Sequence, residues 1–187
     1  MFRMPAEWAP HAKTWMAWPC RAEVWGERLA ETQQAYSEIA RAIARFEPVS
    51  MLVPPGQEDA ARNRLGCGIE LVPMEIDDSW ARDSGPCFLS DVSSLWALCF
   101  RFNAWGGKYS PYDKDAEMAR NIAAQEGIEA VASKLVPRGL RHPLSPSSSR
   151  RSDAAEGYFQ IMQRSRTQAA MAARVPGPAT PSLGPGS

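Results

Sequence analysis

Residues 77–86, with the sequence DDSWARDSGP, hold the densest group of side chains that could do chemistry. The segment contains three aspartates, one tryptophan and one arginine. A carboxylate accepts two parallel N–H bonds from a guanidinium, and an aromatic face stacks on a planar cation, so this segment could hold a planar cationic group. The alternative is structural: the two leading aspartates would form a turn, Trp80 would lie in the core and Arg82 would pair with Asp83.

Metal and thiol chemistry are less well supported. No histidine or further acid stands at ligand spacing from the aspartates, and oxygen-ligand metal sites usually draw on more groups, so we predict neither metal nor cofactor. Cys20, Cys67, Cys87 and Cys99 lie far apart without a C-x-x-C pair, which predicts free thiols in a reducing, cytoplasmic compartment. Cys87 directly follows Pro86 and has no candidate base beside it, which makes it a poor nucleophile.

A second stretch, residues 101–109, reads RFNAWGGKY. Its paired glycines allow either a close approach of the backbone to a ligand or positive φ angles. The stretch is not a phosphate loop, because no Gly-Lys-Ser/Thr ending follows. An ordinary glycine turn is the alternative interpretation.

Four tryptophans crowd the amino-terminal part of the sequence: Trp8, Trp15, Trp18 and Trp25. So much aromatic surface must be buried against something, and packing in the core is the favoured interpretation. The wall of a substrate channel is the alternative.

The elements that must carry these segments follow from hydrophobic periodicity. Helices are predicted over residues 27–46, 58–65 and 113–125, and strands over residues 49–53, 69–74, 87–89 and 95–102. This order mixes strands and helices without clean βαβ alternation. It predicts an α/β or α+β fold and not a doubly wound nucleotide-binding fold.

Composition and charge divide the chain in two. The 187 residues are 44% hydrophobic and 22% charged, as in average soluble proteins, and they contain neither a membrane-spanning run nor an apolar secretory leader. The net charge of zero conceals a net of −6 up to residue 132 and +6 from residue 133 onward. We therefore predict one domain over residues 1–135 and an irregular basic Pro/Ser/Arg/Gly-rich tail over residues 136–187.

The tail has two open explanations. We hypothesise that it is translated out of frame, because hydrophobic periodicity ends where the charge changes sign; a genuine disordered tail is the alternative. Its basic residues lack aromatic interleaving and a helical face, so it is a poor nucleic-acid-binding element. We predict neither a nucleic-acid nor a membrane partner, and oligomeric state is not indicated.

Several blocks together resemble one known family. The blocks MPAEW (residues 4–8), WMAWP (15–19), DSWARDSGP (78–86) and FNAWGGKY (102–109) are similar, in order and spacing, to the amino-terminal part of the agmatine deiminases, members of the Porphyromonas-type peptidyl-arginine deiminases. The resemblance covers about residues 3–135. It implies a partial pentein-type α/β propeller with about two of the family's five modules. It also implies cofactor-free hydrolysis of a small guanidino substrate, agmatine, to N-carbamoylputrescine and ammonia in putrescine biosynthesis.

The resemblance implies site residues as well. In that family a cysteine thiolate attacks the guanidinium carbon, a histidine moves protons and acidic side chains hold the guanidinium nitrogens. The matching motif implies that Asp83 is one of those catalytic acids. It places Trp80, Asp78 and Trp105 beside the substrate.

Other parts of the family pattern do not occur in this sequence. It contains no Glu-Gly-Gly-Ser block, no Gly-His-x-Asp block and no glycine-rich cysteine block, which supply another acid, the histidine and the nucleophile. We therefore expect the chain as written to be inactive. Peptidyl-arginine as the substrate, or a non-catalytic guanidine-binding fragment, are the alternatives.

Overall fold

The computed structural model describes residues 3–5, 9–91 and 94–133. The strands are β1 (Thr14–Ala17), β2 (Val49–Val53), β3 (Glu70–Pro73), β4 (Cys87–Ser90), β5 (Leu95–Cys99) and β6 (Glu129–Ala132). The helices are α1 (Ala22–Trp25), α2 (Leu29–Ile43), α3 (Glu58–Leu65), α4 (Ala81–Ser84), α5 (Ala104–Gly107) and α6 (Asp113–Gln125), with a 3₁₀ turn at Gly26–Arg28. The predicted tail, residues 136–187, lies outside the described residues.

The first sheet is parallel and runs in the order β1-β2-β3. Because α2 connects β1 to β2 and α3 connects β2 to β3, this half consists of two successive βαβ units. The expectation that βαβ alternation is absent is therefore wrong for this half. It failed because all four residues of β1 are buried, so this strand shows no alternation between polar and apolar positions.

The second sheet runs in the order β4-β5-β6. Strands β4 and β5 form an antiparallel hairpin, and β6 returns parallel to β5 after helix α6. Arg3 extends this sheet at its β4 edge, since its backbone exchanges hydrogen bonds of 2.8 and 2.9 Å with Ser90. The mixed α/β class predicted from the sequence is confirmed.

Two apolar clusters cover the first sheet on opposite faces. Met16 of β1 and Trp18, directly after it, belong to the cluster with α2 and α3, and Trp15 and Ala17 belong to the other, as the alternation of side chains along extended backbone requires. The second cluster also contains residues of α6, β4 and β5: Met118, Ala119, Ile122, Ala123, Phe88, Ala97 and Cys99. This shared core joins the two sheets, and it fixes the two ends of the segment that runs between them, residues 74–86.

None of the helices in the described part of the chain is long and apolar enough to cross a membrane.

Candidate functional site

Asp78 ties the start of the aspartate-rich motif to the segment that follows β1. The Trp25 indole Nε1 donates to both Asp78 carboxylate oxygens at 3.0 Å, and the Cys20 backbone N–H donates to Oδ1 at 3.2 Å. Asp78 is fully buried, and this burial raises the pKa of its carboxyl while the donated bonds act in the opposite direction. The carboxylate therefore fixes the position of the Trp25 ring.

Asp77 and Asp115 exchange hydrogen bonds between the motif and helix α6. Asp77 Oδ2 accepts from the backbone N–H groups of Lys114 at 2.9 Å and Asp115 at 3.2 Å. Asp115 Oδ1 in turn accepts from the N–H groups of Asp77 at 2.8 Å and Asp78 at 3.3 Å. Tyr112, at the N-cap position of α6, makes no side-chain capping bond, so Asp77 supplies the cap from a distant part of the sequence.

The aspartates and a nearby thiol share a strongly desolvated environment. Burial raises the pKa of Asp115 to about 7, and the like charges of Asp77 and Asp78 act in the same direction against the donated backbone bonds. Burial, with Asp78 and the other two carboxylates, raises the pKa of the Cys20 thiol to about 12. Cys20 therefore stays protonated at neutral pH and is not poised as a nucleophile.

Asp83 lies on α4, a single helical turn between β3 and β4. Its backbone N–H donates to the Trp80 carbonyl at 2.9 Å, and its side chain is half-buried. The Ser84 hydroxyl anchors the turn by donating to the Trp80 carbonyl at 2.8 Å and contacting Met118 Sδ of α6 at 3.2 Å. Helix α6 therefore contacts the motif at Ser84 as well as at Asp77 and Asp78.

An aromatic cluster surrounds Trp80. The Trp25 and Tyr109 rings stack with it, each with its centroid 5.9 Å away, and Trp105 meets it edge-on at 5.2 Å. Trp105 is 40% exposed, so the cluster reaches the surface. The Trp80 Nε1 is buried and has no hydrogen-bond partner in the described part of the chain. Trp80 is therefore partly a packing residue, as the structural interpretation required, but its neighbours are other candidate site residues.

The paired glycines belong to a left-handed turn that presents Trp105. The φ angles from Ala104 to Gly107 are all positive, at 46°, 56°, 86° and 79°. The Asn103 carboxamide oxygen accepts from the Gly106 N–H at 3.1 Å and stabilises the turn. A Cβ at either glycine would meet nothing within 4 Å, so the glycines serve positive φ rather than close packing. The left-handed backbone conformation costs roughly 1–2 kcal/mol of free energy at each of Ala104 and Trp105.

The predicted site residues occupy two layers. Trp80 and Trp105 are in contact, and Asp83 lies on the turn next to Trp80. Asp78 lies behind them with its oxygens directed to Trp25, so its assignment to substrate binding stays a prediction. Trp8 lies outside the described residues, whereas Trp15 and Trp18 are buried in the core as predicted.

Sequence reasoning missed Asp115. The usable signal was an acid on the apolar face of α6, three and seven positions before the buried Met118 and Ile122. Such a residue needs polar partners from another element. The reciprocal contact with Asp77, across 38 positions of sequence, could not be read from local patterns.

The arrangement can offer aromatic faces and a carboxylate to a planar cation. Cation–π contact and charge-assisted hydrogen bonds are the interactions that such groups supply. In the described ranges no three His, Cys, Asp or Glu side chains are placed to hold a metal ion. His11, the histidine within those ranges, is held by Glu47 with Nδ1 at 2.8 Å from Oε2.

Comparisons with known proteins identify the family of this chain. The family model described as Porphyromonas-type peptidyl-arginine deiminase matches residues 3–139. Agmatine deiminase of Stutzerimonas stutzeri is 46% identical over 127 residues, which are 65% of this chain and 34% of that protein. A relative from Streptomyces avermitilis is 44% identical over 142 residues, which are 74% of this chain and 41% of that protein.

A solved structure gives the same result. Agmatine deiminase of Enterococcus faecalis superposes with a TM-score of 0.68 at 34% identity, covering 71% of this chain and 38% of that one. The chain thus spans about two fifths of the length of the relatives that it matches. The family match covers nearly the whole region of regular structure and includes both candidate motifs. This chain therefore belongs to the Porphyromonas-type peptidyl-arginine deiminase family.

Proposed function

We propose that this chain carries the guanidinium-holding side of an agmatine deiminase. The observation that carries the proposal is the contact of Trp80 with Trp105 beside the turn that bears Asp83, in a chain whose relatives are named agmatine deiminases. Asp83 would hold the guanidinium nitrogens, and an ionised carboxylate favours the charged form of that group. The exposed Trp105 ring would stack on the flat face of the cation, and Trp80, which meets Trp105 edge-on, would lie beside it.

The proposed reaction of the whole family unit is a hydrolysis. Water supplies an oxygen to the guanidinium carbon of agmatine, one nitrogen leaves as ammonia, and N-carbamoylputrescine remains. A cysteine thiolate and a histidine would carry the two covalent steps. Because the sequence lacks the corresponding blocks, we propose that this chain binds guanidines without turning them over. The reaction belongs to putrescine formation, and the free thiols fit a reducing cytoplasm.

The fold proposal has the same basis. We propose that the two three-stranded sheets are parts of a pentein-type propeller, about two of its five modules. The second sheet supports this assignment, since its β4-β5-α6-β6 order is one ββαβ unit. The domain boundary near residue 135 remains a proposal as well.

Calorimetric titration of the full chain with agmatine tests the function. We expect weak, saturable binding, with no binding of putrescine, which lacks the guanidinium group. An Nα-blocked arginine amide distinguishes the peptidyl-arginine alternative, which requires it to bind at least as tightly as agmatine. An enzymatic ammonia assay on the same sample should show no release. Agmatine binding no tighter than putrescine binding would overturn the proposed site, and steady ammonia release would overturn the claim of inactivity.

A further inference from the structure

We propose that Asp115 is a positioning residue of the guanidinium site. From helix α6 it fixes the beginning of the segment that carries Trp80 and Asp83, without itself touching the substrate. The proposal depends on the proposed function only in assigning guanidinium binding to Trp80 and Asp83. The positioning itself rests on the described hydrogen bonds.

The geometry of Asp115 differs from that of an ordinary acid in the first turn of a helix. Such acids are usually exposed and interact with their own helix dipole. Asp115 is 1% exposed, and its Oδ1 instead receives the N–H groups of Asp77 and Asp78, which belong to another element. The side chain therefore specifies where the incoming backbone must lie relative to α6.

The contact is transmitted to the aromatic cluster by a continuous series of hydrogen bonds. Asp115 fixes the backbone of Asp78, and the Asp78 carboxylate holds the Trp25 indole, which stacks on Trp80. Arg21, whose N–H also donates to Asp78, donates through its guanidinium to the carbonyls of Ser110 and Pro111, next to Tyr109. The positions of both rings that stack on Trp80 therefore depend on the same buried carboxylates.

An apolar residue at this position would avoid the desolvation cost of a buried carboxylate. A buried carboxylate whose partners are backbone N–H groups recovers only part of its desolvation cost, and the raised pKa of Asp115 shows that burial dominates. The acid is therefore poorly explained by stability alone. Its two accepted bonds define a backbone position, which is what a site that needs accurate geometry requires.

Three variants separate the accepted bonds from the charge. Asp115→Asn keeps an oxygen acceptor and removes the charge, Asp115→Leu keeps the branching at Cγ but has no acceptor, and Asp113→Asn removes an exposed charge from the same helical turn. One readout is the circular-dichroism couplet of the stacked Trp25–Trp80 pair, which needs no ligand. The second readout is the agmatine dissociation constant.

We expect Asp115→Leu to lose the couplet and to bind agmatine roughly tenfold more weakly, while Asp115→Asn and Asp113→Asn retain both properties. Retention of couplet and affinity in a folded Asp115→Leu chain overturns the proposal. If wild type does not bind agmatine, the proposed function fails, but the couplet still decides the positioning role.

A measurement on the unmodified chain covers the case in which Asp115→Leu does not fold. The amides of Asp77 and Asp78 should exchange with solvent as slowly as the amides of β2, because Asp115 accepts both in a buried setting. Exchange as fast as in an exposed loop overturns the proposal without any substitution.

Discussion

The first sheet is built from buried residues between apolar clusters, whereas the site contains buried polar groups and strained backbone. Every residue of β1 and β2 is buried, and apolar clusters cover both faces of that sheet. The site contains buried carboxylates, an indole N–H that has no partner among the described residues, and two non-glycine residues at left-handed φ. Apolar burial supplies most folding free energy, whereas strained and polar features lower it and define geometry. The comparison indicates that the sheet stabilises the chain. This stability compensates for the free-energy cost of the strained and polar features of the site.

The largest effect on stability should come from the sheet. Leu52→Ala removes a fully buried side chain from the middle strand, so we expect the free energy of unfolding to fall by about 3 kcal/mol. Agmatine affinity of the folded chain should not change. Urea denaturation and calorimetry measure the two quantities. Val131→Ala, at a 42% exposed position, is the control and should cost less than about 0.5 kcal/mol. A loss below about 1 kcal/mol for Leu52→Ala would contradict the conclusion that the first sheet supplies most of the stability.

The next effect is a pH dependence that arises in the site. Asp115 binds its proton more tightly in the folded chain, with a pKa of about 7 against an ordinary 3.8, and the titratable groups near it are Asp77, Asp78 and Cys20. This contribution to stability is present below about pH 4 and is lost as the pH rises through 7. We expect roughly 2–3 kcal/mol of lost stability across that interval.

Asp115→Asn tests the origin of that pH dependence. The amide has no proton to lose, so the fall in unfolding free energy between pH 4 and pH 8 should be smaller than in wild type by about the amount given above. Urea titrations at a series of pH values measure it. Asp113→Asn, at an exposed position, should leave the fall intact. If Asp115→Asn keeps the full dependence, another group is responsible.

A smaller effect separates binding from stability at Asp83. Asp83→Asn removes the charge that the proposed guanidinium contact needs, so we expect agmatine to bind roughly tenfold more weakly, about 1.4 kcal/mol. Asp83 is half-buried on α4, and the free energy of unfolding should change by less than about 0.5 kcal/mol. Asp59→Asn, in the first turn of α3, is the matched control. Unchanged agmatine affinity removes Asp83 from the site.

The smallest effect tests the left-handed turn. Gly107 has a φ of 79° and open space around its missing Cβ, so Gly107→Ala should cost about 1 kcal/mol through the backbone alone. Gly68 has equally open space without positive φ, and Gly68→Ala should be neutral or slightly stabilising. Thermal unfolding of both variants measures the difference. Equal stabilities would show that the turn carries no strain.

Regular elements with strong periodicity could be read from the sequence. The predictions for β2, α3 and α6 match the observed bounds, because Pro48 and the turn at residues 54–56 flank β2, and Gly66 and Gly127 follow the two helices. Strand β6 was missed since all four of its residues are exposed and its pairing with β5 depends on α6 returning the chain. Helix α2 begins at Leu29 rather than residue 27, because a 3₁₀ turn precedes it.

The site could be predicted only where the motif is continuous in sequence. Trp80 and Asp83 stand close enough together for their residue types to suggest a cation site. The roles of Asp77 and Asp78 in capping α6 and holding Trp25 depend on elements far away along the chain. Positive φ was one of two interpretations of the paired glycines, and only the backbone conformation decided between them.

The order of strands in the first sheet has a consequence for synthesis on the ribosome. Each of its pairings joins strands that are neighbours along the chain, and the last of them is complete at Pro73. The bonds between Asp77 and Asp115 span 38 positions and must wait until α6 has emerged. All three strands of the parallel sheet are synthesised before α6, so we expect their pairing to begin first during translation. The site is completed last, once α6 has packed against the sheet.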